Sequence, residues 1–510
     1  MADSTGTKLI KSSLLVSSFV ALNALTSLAF QMLLAARFGV GPAMTAFVAA
    51  SAVPMFFLAV IIGSQRGAFV PLLAEAEKLG RKTDRTGSHL VNLVAIGSAI
   101  VTIAAIILSP AIVSVAAPGL SLPVSAQTVL LLRLMLPSFC FSSVAYTLAS
   151  RYQAKETFLL PAMIPFVIQA VNLLLVAIFR GVGINMAAAS YSVGALLSAV
   201  MVFIPVLTKG EYKLSISLGD PAIRRALAAM GILVISSMFY AAYPVMERRV
   251  ASGLSEAAIS YIGYSGKLSA MLASVLATGV AASVLPCFSG YIVKNDSEGL
   301  RRIATASLNT IIAVTIPVLV LLAILREPVV RVLFQRGAFD TAATSAVAGA
   351  LLFYLPSALG FCITVVAGNV LYAFRDIKLM SAIGIVSVIA YFAYCPVLAN
   401  RFGYIGVATG TSIFALGSAA AQCIAACSRR HAVDSRLTGL VVLKTCASAA
   451  IAGLTTFSLV GPSPGLGKAV AGGLAGLGVY LLLATCVFRV SEISYLLARI
   501  PPAFETWRQV

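Results

Sequence analysis

The chain is predicted to be an all-α polytopic membrane protein of about 14 transmembrane helices: two parallel six-helix repeats plus two C-terminal helices. Three observations predict this. Of its 510 residues, 60% are hydrophobic and only 10% charged, too few charges to clothe a soluble domain of this size. Runs of about 20 apolar residues recur from end to end, the length a helix needs to cross a ~30 Å hydrocarbon core. The cations also concentrate in alternate connections between those runs.

A short polar start, Met1 to Lys11, leads into an apolar span, Ser12 to Ala36, too long for a signal-peptide core. It reads as the first membrane helix, with the N-terminus inside. Spans 2 to 6 follow at Ala43 to Leu73, Val91 to Ala117, Thr128 to Ser150, Phe158 to Phe179 and Asn185 to Leu207. Spans 7 to 10 are Ala222 to Met246, Ala257 to Val293, Ile303 to Leu325 and Ala342 to Ala373. Spans 11 to 14 are Leu379 to Leu398, Ile405 to Ala426, Leu440 to Val460 and Ala469 to Phe488. The tail from Arg489 carries the only tryptophan, Trp507, and is expected at the membrane interface.

Fourteen spans put both termini on one side. The even connections and termini hold 24 of the 36 cations, and the odd connections hold nine. By the positive-inside rule both ends of this multi-pass protein are cytoplasmic. The net charge of +19 follows from this pattern and from attraction to anionic lipid, so no nucleic-acid partner is implied.

The halves repeat. Phe69 to Glu75 (FVPLLAE) matches Ser283 to Ser289 (SVLPCFS), with Pro71 on Pro286; Tyr152 to Glu156 matches Tyr372 to Asp376; Pro137 matches Pro356. The offsets, 215, 220 and 219, are nearly constant. The domains are therefore an N-terminal six-helix bundle (1–208), a cytoplasmic linker (209–221), a C-terminal six-helix bundle (222–430), and two further helices with the tail (431–510). Parallel repeats about the membrane normal imply a central cavity and transport by rocking one bundle on the other.

The remaining three cations, Arg66, Arg133 and Lys267, lie within spans. Arg66 and Arg133 have two readings, snorkelling to an interface or lining a site. Lys267 lies near mid-depth, where a bare charge costs a few kcal/mol or more, and it needs water, a partner or an anionic ligand. The acids, Glu247 among them, fall in loops or at span ends. A cation-coupled drug antiporter generally needs a membrane carboxylate; cations without acids suit an anionic head group such as a diphosphate. The eight cysteines read as small hydrophobes. His89 and His431 read as solvated loop residues. No metal, cofactor or catalytic constellation is predicted: the Gly465–Ala469 stretch (GLGKA) lacks the spacing and the hydroxyl of a phosphate loop. Arg326 to Asp340 (REPVVRVLFQRGAFD) is amphipathic and reads as a helix on the outer surface.

Ala36 to Gly41 (ARFGVG), Thr45 to Phe47, Phe69 to Glu75, Val250 to Ser255, Leu333 to Asp340 (LFQRGAFD) and Tyr372 to Lys378 (YAFRDIK) resemble signatures of the MviN/MurJ lipid II flippases, within the multidrug/oligosaccharidyl-lipid/polysaccharide (MOP) exporter superfamily. The resemblance covers most of the chain. It implies a flippase for an undecaprenyl-diphosphate-linked saccharide, with cations of a central cavity on the head group and the last two helices grooved for the lipid tail. Lys267 stands where the family has a functional arginine. The chain is a divergent member: Ala24, Phe30 and Gln31 replace the family's charged residues of helix 1, Thr45 its acid after the Gly-x-Gly turn, and apolar residues of Met55 to Ile62 an arginine for which Arg66 compensates in part. An exopolysaccharide or O-antigen-type precursor fits the same fold. The remaining alternatives are a cation-coupled drug antiporter and a non-transporting scaffold. Cell-wall or polysaccharide synthesis enzymes are the partners such a role implies.

Overall fold

The computed structural model describes residues 2–78, 83–215, 219, 221–374, 376–430, 432–461, 465–488, 490 and 493, and these are helical almost throughout, with no strands. Trp507, His431 and Arg375 lie outside them. Helices dominate because a backbone in hydrocarbon must satisfy every N–H and C=O within its own segment.

The first half contains α1 (Ala2–Phe38), α2 (Pro42–Lys78), α3 (Thr83–Ile107), α4 (Ser109–Ala116), α5 (Leu122–Met135), α6 (Pro137–Ala154), α7 (Leu159–Ile178) and α8 (Ile184–Thr208). The second contains α9 (Pro221–Ser252), α10 (Glu256–Val293), α11 (Ser297–Ile324), α12 (Arg326–Phe334), α13 (Thr341–Ala373), α14 (Ile377–Phe402), α15 (Tyr404–Arg430), α16 (Ser435–Val460) and α17 (Leu466–Leu482), the last ending in a π turn at Leu483–Val487. Twelve stretches among the described residues are long and apolar enough to span a membrane. With α9 and α10, of 32 and 38 residues, they make the fourteen expected.

Two spans differ from the expectation in being broken. Span 3 divides at Leu108 into α3 and α4, because Pro110 has no N–H for the Ile106 carbonyl. The Ser109 hydroxyl donates to that carbonyl at 2.8 Å instead. Span 4 divides at Leu136, before Pro137, into α5 and α6. The Ser192 hydroxyl donates to the Leu134 carbonyl at 2.6 Å beside the break. The amphipathic segment after α11 is helical as α12, with Pro328, Val330 and Phe334 turned inward and a Glu327–Arg331 ion pair at 3.1 Å outside.

Contacts divide the chain into two compact units: Met1–Tyr264 with Arg336–Ala343 and Val388–Val407, and Ser265–Gln335 with Thr344–Ser387 and Ala408–Val510. In the first, α2 packs against α5, α6 and α9. Phe69, Leu73, Leu90 and Ile223 make one buried cluster, and Leu148, Ile164 and Val202 belong to another. The linker after α8 is strapped to this unit. Arg151, buried, pairs with Glu211 at 2.7 Å; Tyr212 donates to Asn92 Oδ1 at 2.6 Å. His89 is therefore not a solvated loop residue. It sits buried in the first turns of α3, with Nδ1 donating to the Ser215 carbonyl at 2.9 Å, because the linker folds back over it.

In the second unit α11 packs on α16, and α16 on α17. Asp296 caps α11 by accepting from the Gly299 N–H at 2.8 Å. Asp434 caps α16 by accepting from the Arg436 and Leu437 N–H groups, both at 3.1 Å, and pairs with Arg301 at 2.8 Å. The cap and the guanidinium hold this carboxyl below the usual range, the Leu437 N–H contributing most.

Candidate functional site

Lys267 lies eleven residues into α10 from Glu256, roughly 16 Å along the helix at 1.5 Å per residue. For a hydrocarbon core that begins at Glu256 this is about mid-depth in ~30 Å, and the side chain is half-buried. Its neighbours explain how it is oriented. In the second unit, the Ser269 hydroxyl donates to the Tyr354 carbonyl at 3.0 Å and meets the Ser357 hydroxyl at 3.2 Å, while Ser265 donates to the Val347 carbonyl at 3.4 Å. These serines seat α10 on α13. Lys267 is two positions from each, about 200° round the helix, and so lies on the opposite face. It shares that face with Gly263 and Ser260, four and seven positions earlier.

Arg66 lies on α2 in the run Gly63-Ser64-Gln65-Arg66-Gly67; its side chain is outside the described structure, but its setting is not. Gly67 and Gly63 bring α2 close to α9, where an added Cβ would stand 2.8 Å from Leu233 Cδ1 and 3.8 Å from the Ser237 hydroxyl. Gln65 is fully buried and donates to the Ser143 carbonyl at 3.3 Å, while its Oε1 has no hydrogen-bond partner among the described residues. Reading the run for its charge missed this glutamine; the only sequence signal was its place beside an intramembrane arginine.

Arg133 is exposed on α5, and its Nε donates to the Ser109 hydroxyl at 2.8 Å. Ser109 in turn closes the Pro110 break, so the guanidinium is anchored at the kink between α3 and α4. Arg66 and Arg133 belong to the first compact unit and Lys267 to the second.

Glu247, an acid expected at the end of span 7, lies five residues before the end of α9 and is buried. α9 runs to Ser252, past the Met246 limit expected for span 7, and carries Glu247 within it, only 4% exposed. A buried carboxylate requires a partner, and Arg248 supplies one as an ion pair. Tyr243 on the same helix meets Tyr391 of α14 edge-on at 6.3 Å, and Tyr391 meets Tyr394 at 5.8 Å. Among the described residues no group of three or more His, Cys, Asp or Glu is placed to hold a metal.

Long membrane-crossing helices, a proline break whose freed carbonyl a serine hydroxyl satisfies, and a cation within a long apolar helix define a polytopic membrane transporter. The comparisons identify which kind. The family model described as "Lipid II flippase MurJ" matches residues 34–466, and the chain belongs to that family. It is 23% identical to the probable lipid II flippase MurJ of Vibrio cholerae, over 80% of this chain and 81% of that one. It is 25% identical to the lipid II flippase MurJ of Burkholderia cenocepacia, over 80% and 82%. In fold it is similar to a solved lipid II flippase MurJ in an inward closed conformation, with a TM-score of 0.80, 20% identity and coverage of 94% and 99%. It is also similar to an inward-facing multidrug resistance MATE family transporter of the MOP superfamily, with a TM-score of 0.71, 12% identity and coverage of 82% and 98%.

Proposed function

We propose that this chain flips an undecaprenyl-diphosphate-linked saccharide, the lipid II type of peptidoglycan precursor, from the inner to the outer leaflet of a bacterial inner membrane. The observation that carries this reading is Lys267, a cation at mid-depth on the face of α10 turned away from its serine-lined seat. Family membership supports lipid II as the substrate. In this reading Lys267 and Arg66 hold the diphosphate; Arg133 adds its Nη atoms while Ser109 fixes its Nε. The buried Oε1 of Gln65 is an acceptor for a sugar hydroxyl. The tail lies along α16 and α17, where Leu454, Phe457 and Leu474 are exposed. The two six-helix repeats rock about the site, with both termini in the cytoplasm. The role is transport rather than catalysis, and wall-synthesis enzymes are its partners.

Complementation of a strain depleted of its own lipid II flippase tests the substrate. Growth restored by this chain, and lost with Lys267→Ala at equal membrane abundance, supports lipid II. The departures at Ala24, Phe30, Gln31 and Thr45 favour a second reading, another polyprenyl-linked saccharide. Failure to restore growth despite good expression, with restored export in an exopolysaccharide-flippase mutant, selects it.

A further inference from the structure

The FQRGAF segment, which the transport site does not use, meets the turn after α1 in an unusual way. Gly39 and Gly337 both have left-handed backbones, with φ of +54° and +58°. An added Cβ on Gly39 would lie 2.2 Å from the Ala338 carbonyl oxygen, and one on Gly337 would lie 2.2 Å from the Ala36 carbonyl oxygen. The two turns interlock reciprocally, and each needs a glycine both for its φ and for the space. The Ala338 N–H donates to the Ala36 carbonyl at 2.9 Å. Tyr264, buried on α10, donates to the Gly39 carbonyl at 2.9 Å, and its ring stands edge-on to Phe339 at 5.4 Å and 86°.

Each partner is held rigid from its own side. Arg37 donates to the Val176 and Ala177 carbonyls at the end of α7, fixing the α1–α2 turn. Asp340 caps α13 through the Ala343 N–H at 2.7 Å, and Thr344 donates to Gln335 at 3.2 Å, fixing the loop. Around the interlock, further bonds of the first compact unit join the two sequence repeats. Thr45 donates to the Glu256 carbonyl at 2.8 Å and meets Ser260 at 3.0 Å; the Ser121 N–H donates to Glu256 Oε1 at 3.1 Å.

We infer that the Gly39–Gly337 interlock is the clasp that holds the outer end of the transporter shut, and that it parts when the chain opens outward. This rests on the orientation and the rocking proposed above. Under that motion, contacts between repeats at one end must break in half of the cycle. Apart from the Tyr264–Phe339 pair, both members of which belong to the second repeat, the clasp is made of two close backbone turns and a few polar bonds. It also explains why Thr45 need not be an acid: its hydroxyl joins Ser260 and the Glu256 carbonyl at this end without a charge.

The test uses the full chain in membranes, with Ser260→Cys as a reporter, its labelling by a membrane-impermeant maleimide read by peptide mass spectrometry. Ser260 is fully buried, so the introduced thiol is protected while the clasp is closed. Gly337→Ala, or Gly39→Ala, places a Cβ against the opposing carbonyl only in the closed state and shifts the equilibrium toward opening, raising labelling of the reporter thiol about tenfold. Ala36→Cys with Ala338→Cys, joined by one backbone hydrogen bond in the closed state, returns labelling to background on oxidation and stops transport. Reduction restores both. Labelling unchanged by either glycine variant, or transport that continues with the disulfide fully formed, overturns the clasp. The glycine dependence of labelling needs no substrate. A wrong substrate therefore shows only in the transport assay, and a wrong orientation only in the face from which the reagent enters.

Discussion

Lys267 is the side chain on which the chemistry turns. Lys267→Ala should abolish lipid translocation while the purified protein keeps its abundance and melting temperature, because a half-buried cation turned away from Ser265 and Ser269, which seat α10 on α13, contributes to the site rather than to the fold. Lys267→Arg should retain transport, since the charge stays and the guanidinium reaches a diphosphate with two donors. Equal transport by Lys267→Ala would end the proposed role. Arg133 differs, because its Nε is spent on Ser109 at a proline break. Ser109→Ala should remove both that anchor and the donor to the Ile106 carbonyl, lowering stability by about 1–3 kcal/mol in a chemical denaturation series. Transport should then fall less than with Arg133→Ala. Lys267 stood out in the sequence because a lone charge in an apolar run is conspicuous. Glu247 did not: its exposure depends on whether α9 stops at Met246 or continues to Ser252, and helix ends are set by what packs around them.

At the scale of elements, the prolines show how far a sequence goes. Pro54, Pro71, Pro244, Pro317 and Pro356 lie inside continuous helices, whereas Pro110 and Pro137 divide theirs. The residue type is the same, so a proline alone does not decide the break: at Pro317 the freed Ala313 carbonyl accepts from Tyr480 at 2.6 Å and the helix runs on. Helix starts are more legible, since Asp296 and Asp434 stand one residue before α11 and α16. The Asp434 carboxyl is held below its ordinary range, so the folded state binds its proton less readily than the unfolded chain does. Its stabilisation is then present above the unfolded pKa and lost as pH falls through the folded one. Protection of the Arg436 and Leu437 amides, taken relative to the intrinsic exchange rate at each pH, should fall on acidification, and Asp434→Asn should remove that pH dependence. Protection that does not change with pH in the unmutated protein would show that the cap does not depend on the charge.

For the whole molecule, alternating loop charge predicts cytoplasmic termini. A fluorescent protein fused at the C-terminus should fold and emit, and alkaline phosphatase at the same place should stay inactive. The reverse pattern would invert the transporter and place the Gly39–Gly337 clasp at the inner end. The bilayer setting, the number of crossings and the family were legible in the sequence alone. Hydrophobic length is a local property of about 20 consecutive residues, and LFQRGAFD or YAFRDIK is read without folding. The burial of His89 beneath the linker, the Arg133–Ser109 anchor and the seating of α10 on α13 were decided only by the tertiary structure. So was the meeting of Gly39 with Gly337, 298 positions apart in the chain. Each depends on which surfaces distant segments present to one another. That is set by the packing of the whole chain and leaves no periodicity in any one stretch of it.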